Sequence, residues 1–505
     1  MRSEILVDLK PALDGYAGIP QETRLLFSAL RKLEVANVQG LIQHGGRRLR
    51  SGLTKKSAQW PESKRIFQLS KFIVSLSDRP YDGVWSAWAD KLDRYFALVA
   101  LQWQTALGRP VSCSVFESSL FADFVWRTFF DKTLNSSEMA GIAGACFRVA
   151  RSPRNHFHNV GLRSLTLRSI AKYPLLDTDG FDFFIAQTPF PGRVSAGTQL
   201  IVRYHDAVPV LMPHTVSDKA FHQATHFHAL RSNIQSGAVF SCISEATRKD
   251  LVTLFPEAEP QTLVIHDMVS EEYFQEDSPR SLAPRIVRNR LADTPDIKVD
   301  RAKAGTEIPD GPYLLMVSTI EPRKNHQALV SAWEKLKYNN HPDLKLIVVG
   351  TLGWDHAAAL RAFKPWIEQR ELFWLQNVPS AELRVLYRHA AATVCPSFAE
   401  GFDYSGIEAM RCGCPVVASD IPVHREIFDG GAVYFNPYSV DDAATRIASV
   451  ISQDSGAMRE KLAEEGLQVA SHYLPSRILP KWEQCLTVRH GRERAPAAGL
   501  MERTS

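Results

Sequence analysis

The chain has 505 residues, of which 45% are hydrophobic and 23% charged, with a formal net charge of +4. That length exceeds an ordinary domain of roughly 100 to 200 residues, so two or three domains are expected, and the charge is too mild to imply nucleic acid as a partner. The seven cysteines are odd in number, scattered and mostly set in apolar runs, which suits reduced thiols in a cytoplasm better than a disulfide framework.

The N-terminal stretch MRSEILVDLKPAL lacks the apolar core of roughly 7 to 15 residues that a secretory signal requires. No charge-free run approaches the roughly 20 residues of a membrane span. From ILVDL at Ile5 the first half offers further candidate strands in FFIAQ, LIVRYHD, AVFSCISE and TLVIHD. Between the first two, His44 to Arg65 carries seven Lys or Arg against one acid, and Trp60, Trp85, Trp88, Trp103 and Trp126 lie in or soon after it. Basic charge beside amphipathic aromatics suits peripheral contact with an anionic membrane, and equally suits a solvated loop before buried helices. Asp177-Thr178-Asp179, with Asp182 behind it, has the spacing of a divalent-cation pair and reads more simply as a solvated turn.

Glu276 to Pro312 is rich in proline and charge, lacks a sustained apolar period and reads as a connection. After it the pattern sharpens. Short apolar runs (YLLMVS, LKLIVVG, LFWLQ, ATVCPS, PVVAS) alternate with amphipathic segments such as HQALVSAWEKL and SAELRVLYRHAA. Fully apolar runs of that length are buried parallel strands, and their alternation with helices predicts a doubly wound α/β sheet. The expected organisation is a first Rossmann-like domain over 1–275 with a long insertion, a linker over 276–310 and a second Rossmann-like domain over 311–475. A C-terminal helix over 476–488 is expected to return to the first domain, followed by a mobile tail over 489–505.

The stretch EGFDYSGIEAM places Glu400 in a loop after the strand ATVCPS and Glu408 inside the following helix. In an open parallel sheet, ligands bind beyond the carboxyl ends of the strands, where helix N-termini offer free amides to a diphosphate. A carboxylate one turn into such a helix suits two neighbouring ribose hydroxyls. EPRKN sets Arg323 and Lys324 at another strand end, where a fork and a point charge suit phosphate. Taken singly, each of these also reads as ordinary surface charge. Cys412 and Cys414 have no second pair or nearby histidine to complete a zinc site.

Strand, EPRKN, helix, strand, EGF, helix with Glu408, then CGCPVVASD: this order resembles the retaining glycosyltransferases of family four, over nearly all of Tyr313 to Val440. DGYAGIPQETRLLFSAL, HDAVPVLMP and SCISEATRKDL resemble, more weakly, the family's glycine-rich loop, His-Asp segment and Ser-Glu segment. The resemblance implies the GT-B fold, two Rossmann-like domains facing a central cleft, and transfer of a hexose from a nucleotide sugar to a glycan or polyprenyl-linked acceptor with no metal. It implies His205 and Glu400 as the residues at the reacting sugar. Gly18, Arg323, Lys324, Tyr404, Ser405, Gly406 and Glu408 then bind the donor. The family's EGFG is here EGFD, so Asp403 is expected to read donor hydroxyls, as in members that use GDP-mannose. Ala17 stands where a second glycine is usual, and 41–179 matches no family motif. Same-face attack and a covalent intermediate on Glu400 both fit a retaining reaction. A non-catalytic binding module derived from a transferase is the alternative.

Overall fold

A computed structural model describes residues 2–16, 18–54, 56–76, 83–292 and 311–492. Ala17, residues 293–310 of the expected connection and residues 493–505 of the expected tail lie outside them. The first sheet contains β1 (Ser3–Asp8), β2 (Ala36–Ile42), β3 (Cys113–Glu117), β4 (Cys146–Ala150), β5 (Phe183–Ala186), β6 (Gln199–Tyr204), β7 (Val239–Cys242) and β8 (Thr262–Val264). Their spatial order is β3-β4-β2-β1-β5-β6-β7-β8, parallel throughout except for β3 at the edge. The second sheet contains β9 (Tyr313–Val317), β10 (Lys345–Val349), β11 (Leu372–Leu375), β12 (Ala392–Cys395), β13 (Val416–Ser419) and β14 (Ala432–Phe435). Its order is β11-β10-β9-β12-β13-β14, all parallel.

The second order is the doubly wound one, and it reverses between β9 and β12, where Leu315 faces Thr393. Loops leaving these two strands diverge to opposite faces and open a crevice. In the first sheet the reversal lies between β1 and β5, where Ile5 faces Phe183. Alternate residues of β1 enter different cores, Ile5 and Val7 on one face and Leu6 on the other. Burial on both faces is why these strands read as unbroken apolar runs.

The stretch that matched no motif resolves into an insertion between β2 and β4. It contributes β3 and two long helices, Glu62–Leu76 and Val84–Ala106. The expected connection is not bare: its first part forms the helix Leu282–Ala292, where Arg290 pairs with Glu382 of the second domain. Its arginines hid the apolar positions Ala283, Ile286 and Val287, which are buried. The C-terminal helix runs over Pro475–Arg492, longer than 476–488, and sets the Trp482 ring 5.5 Å from the Arg203 guanidinium of β6. All seven cysteines are free; Cys146 is exposed and five of the others are buried.

Candidate active site

After β9 the chain makes a short turn at Pro322–Lys324, and Asn325 adopts a left-handed conformation before the helix His326–Asn339. Asn325 Nδ2 donates to the carbonyls of Pro396 and Pro437, both at 3.1 Å, and the Phe398 amide donates to the Arg323 carbonyl at 2.9 Å. The loops leaving β9 and β12 are thereby stitched together at the crossover point. Arg323 Nη1 donates to Glu400 Oε2 at 2.8 Å and to the Ala399 carbonyl at 2.7 Å; its Nη2 donates to Glu321 Oε1 at 2.8 Å. Lys324 Nζ donates to the other Glu400 oxygen at 2.5 Å. Burial alone would raise the Glu400 carboxyl; Lys324 and Arg323 outweigh it and hold the group below its usual range. The expected phosphate cations and the expected sugar carboxylate are thus one half-buried cluster.

The helix after β12 runs over Tyr404–Arg411, and Asp403 is its N-cap, in a left-handed conformation with φ 67°. Asp403 Oδ1 accepts from the Ser405 amide at 3.2 Å and the Ser405 hydroxyl at 2.6 Å, while Oδ2 faces His424 Nε2 at 3.0 Å. Both oxygens are engaged inside the domain. Asp403 is therefore a helix cap, its side chain folded back over its own helix. The same bonds take up the Ser405 amide. Gly406 packs against the tip of the Phe428 ring, which a Cβ would overlap. Tyr404 turns toward the other domain and donates from its hydroxyl to Glu22 Oε2 at 3.0 Å.

Glu408 is buried one turn further on. Its Oε1 accepts from Gln21 Nε2 at 2.8 Å and its Oε2 from the Tyr387 hydroxyl at 3.2 Å. Burial pushes its carboxyl up to about 7, against hydrogen bonds from Gln21, Tyr387 and Tyr273 that pull it down. Gln21 belongs to the helix Ile19–Arg31 of the first domain, which Gly18 caps with φ 71°. The space beside Gly18 is open, with no heavy atom within 4 Å of where a Cβ would stand. His205 follows β6. Its Nε2 is buried without a partner, and burial drives the ring down to about 3, so it is neutral. The loop at Gly401 packs against the His205 carbonyl so closely that a Cβ would overlap it.

Glu400, Arg323 and Lys324 are thus brought into direct contact, and Gly401 joins that loop to His205 across the cleft. Sequence reasoning missed Gln21, Glu22, Arg203, Gly401 and His424, whose partners lie far away in the chain. The only available signal was the quoted segment GIPQETR, where Gln21 and Glu22 follow Gly18. Asp177 to Asp182 lies away from this cluster. The Asp179 amide turns back to Asp177 Oδ1 at 3.3 Å, and Asp182 Oδ2 accepts from the Glu4 amide at the amino ends of β5 and β1. That is the opposite edge of the sheet from the cleft. Among the described residues no group of three His, Cys, Asp or Glu side chains is placed to hold a metal ion.

Residues 298–469 match the family described as glycosyl transferases group 1. This part of the chain is a group 1 glycosyl transferase domain. The chain is 26% identical over 259 residues to the O-antigen chain mannosyltransferase B of Escherichia coli, a match covering 51% of this chain and 61% of that one. It is 36% identical over 126 residues to the O-antigen chain mannosyltransferase RfbU of Salmonella typhimurium, covering 25% of this chain and 34% of that one. It therefore spans less than two thirds of the length of these curated relatives. In structure it is similar to the sucrose-phosphate synthase of Thermosynechococcus elongatus, with TM-score 0.57 and 15% identity over 97% of this chain and 100% of that one. It is also similar to HepE of Anabaena in complex with UDP, with TM-score 0.52 and 14% identity over 96% and 100%. The group 1 domain and its partner sheet together form the GT-B fold.

Proposed function

We propose that the chain is a retaining hexosyltransferase that takes mannose from GDP-mannose and places it on a glycan or lipid-linked glycan, with no metal. The observation that carries this reading is the contact of Arg323, Lys324 and Glu400 at the crossover of the second sheet, opposite His205 of the first. In the reaction the bond from the anomeric carbon to the diphosphate oxygen breaks, and negative charge grows on the leaving group. Arg323 and Lys324 are fixed in advance to meet that charge. As the diphosphate takes over the cations, the Glu400 carboxylate is released toward the sugar hydroxyls. Neutral His205 offers its unpartnered Nε2 to the same sugar. Retention of configuration follows when the acceptor attacks from the face that the diphosphate leaves. The acceptor oxygen bonds to the anomeric carbon, and its proton passes to the departing diphosphate oxygen.

The choice of GDP-mannose rests on the mannosyltransferase relatives, since Asp403 is engaged internally. A lipid-linked acceptor implies work at a membrane surface, by peripheral contact with anionic lipid; no helix among the described residues is long and apolar enough to cross a membrane. Thermal unfolding in the presence of nucleotide sugars tests the donor, because a ligand at 100 times its dissociation constant adds about 2.7 kcal/mol. GDP and GDP-mannose should raise the transition, and stabilisation by UDP-sugars alone would rule out this donor. GDP release on adding a lipid-linked glycan, retained in EDTA, is the expected activity. Binding of GDP-mannose without any turnover would favour a binding module instead.

A further inference from the structure

The insertion between β2 and β4 carries an apolar surface that the catalytic reading does not use. The helix Val84–Ala106 buries Leu98, Leu101 and Thr105 in its second half. Its first half has no buried residue among those whose side chains are described. Trp85, Trp88, Leu92, Phe96 and Trp103 recur at steps of three, four, four and seven residues, so they line one stripe down the helix. They are exposed, Trp85 at 89% and Trp103 at 68%. The preceding helix, Glu62–Leu76, buries Leu69 and Phe72 and exposes Phe67 at 62%. Large aromatics left in water at this density on a folded domain mark a surface that is covered in use. Trp126, which sequence alone grouped with these residues, is instead buried in the core.

The charges on and around the two helices select the occupant. Exposed Lys71 lies 4.1 Å over the Phe67 ring, Lys64 lies 4.2 Å over Trp60, and Lys91 lies 5.8 Å from the Trp88 ring. Beside them Arg48 and Arg50 lie close enough to Arg151 that its guanidinium is lowered by burial and then by their two charges. The nearby acids Asp90 and Asp93 are matched by Arg94 and Arg48. A helix face with exposed aromatics and exposed lysines along its flank is built for the headgroup region, where rings sit among acyl chains and ammonium groups reach lipid phosphates.

We propose that the exposed face of the helices Glu62–Leu76 and Val84–Ala106 is a docking surface for an anionic lipid bilayer, with Trp85, Phe96, Trp103 and Phe67 as its inserted anchors. It places on named residues the membrane contact suggested above, and it stands on this surface alone, independently of the donor.

Co-sedimentation of the full chain with vesicles of phosphatidylcholine, and with vesicles of phosphatidylcholine mixed with phosphatidylglycerol, tests it. Quenching of tryptophan fluorescence by bromine-labelled acyl chains in the unmutated protein is read in parallel. The expected results are binding to the mixed vesicles, quenching there, and partition weakened about fivefold for each of Lys64→Gln, Lys71→Gln and Lys91→Gln. The triple variant Trp85→Ser, Phe96→Ser, Trp103→Ser should remain in the supernatant while its thermal stabilisation by GDP is unchanged. That nucleotide control separates failure here from failure of the transferase reading. Equal recovery of wild type and triple variant, or no quenching, would overturn the proposal. A wild-type dimer in light scattering that the triple variant loses, without vesicle binding, would overturn it in favour of an interface between two copies.

Discussion

Glu408 has a carboxyl that burial pushes up to about 7, beside Gln21, Tyr387 and Tyr273 as donors and the Asp403 charge. If its ionised form receives the ribose hydroxyls, nucleotide binding must deprotonate it. Affinity for GDP should then fall about tenfold between about pH 8 and pH 6, one unit below that value, and Glu408→Gln should remove the slope while binding weakly at both. Calorimetric titration at the two pH values checks this; a pH-independent affinity in the wild type would detach Glu408 from the ribose. Residue identity alone was a partial guide here. Glu400 and Glu408 were legible because a strand-to-helix loop must place them at the sheet's carboxyl edge. The capping contacts of Asp403 were not legible because its partner His424 lies 21 positions on, beyond the next strand. Nothing in EGFD tells a cap from a ligand-reading carboxylate.

Among the elements, the second sheet could be read strand by strand because its runs are buried on both faces, from YLLMV to VVAS. In the first, β1 and β5 to β8 could be read in the same way, and β2, β3 and β4 could not. β2, ANVQGLI, is broken by Asn37 and Gln39, and Arg148 interrupts β4, where its guanidinium reaches Gln39 at 3.0 Å. In the second sheet β14, AVYF, was missed, since its two middle residues are only half-buried where those of the other strands are buried. The loop that joins the two halves of the site went unrecognised as a contact because a glycine shows no chemistry in sequence. Gly401 lies against the His205 carbonyl and Ile243, so Gly401→Ala must force two backbones apart. Turnover should fall by at least about a hundredfold, the usual size of a misplacement of about 1 Å, with GDP affinity within a few-fold of wild type. Full activity in that variant would show that this loop contact is dispensable.

Across the whole molecule, the two domains are closed on each other by buried polar groups. Arg203 of β6 donates to Glu22 at 3.1 Å, to Asp267 at 2.7 Å and to Ser241 at 2.9 Å, and Tyr404 of the other domain completes the set through Glu22. Nearby, both oxygens of Glu426 accept the amides of Glu245 and Ala246, at 2.6 and 2.9 Å, at the N-terminus of a first-domain helix. One arginine facing two acids leaves a surplus negative charge, and burial followed by the Asp267 charge pushes Glu22 up to about 8. The folded chain therefore holds a proton that the unfolded chain releases near 4.5. This contribution to stability is complete below about pH 4.5 and is lost as pH rises through about 8. Unfolding temperature should drop between about pH 6 and pH 9, and Glu22→Gln should flatten that drop. A wild-type curve that is level across the window would remove Glu22 as its source. The claim on which all of this depends is that nucleotide and sugar are held by different glutamates at one crossover point. Its most direct test is calorimetric titration of GDP into wild type, Glu408→Ala and Glu400→Ala, with turnover of GDP-mannose measured alongside. Loss of hydrogen bonds to a charged acceptor, at about 1.5 to 3 kcal/mol each, should weaken GDP at least tenfold in Glu408→Ala. Glu400→Ala should bind GDP no worse than wild type, because the Arg323 and Lys324 charges are uncovered, while its turnover falls by orders of magnitude. Equal loss of GDP affinity in both variants, or full turnover in either, would contradict the account.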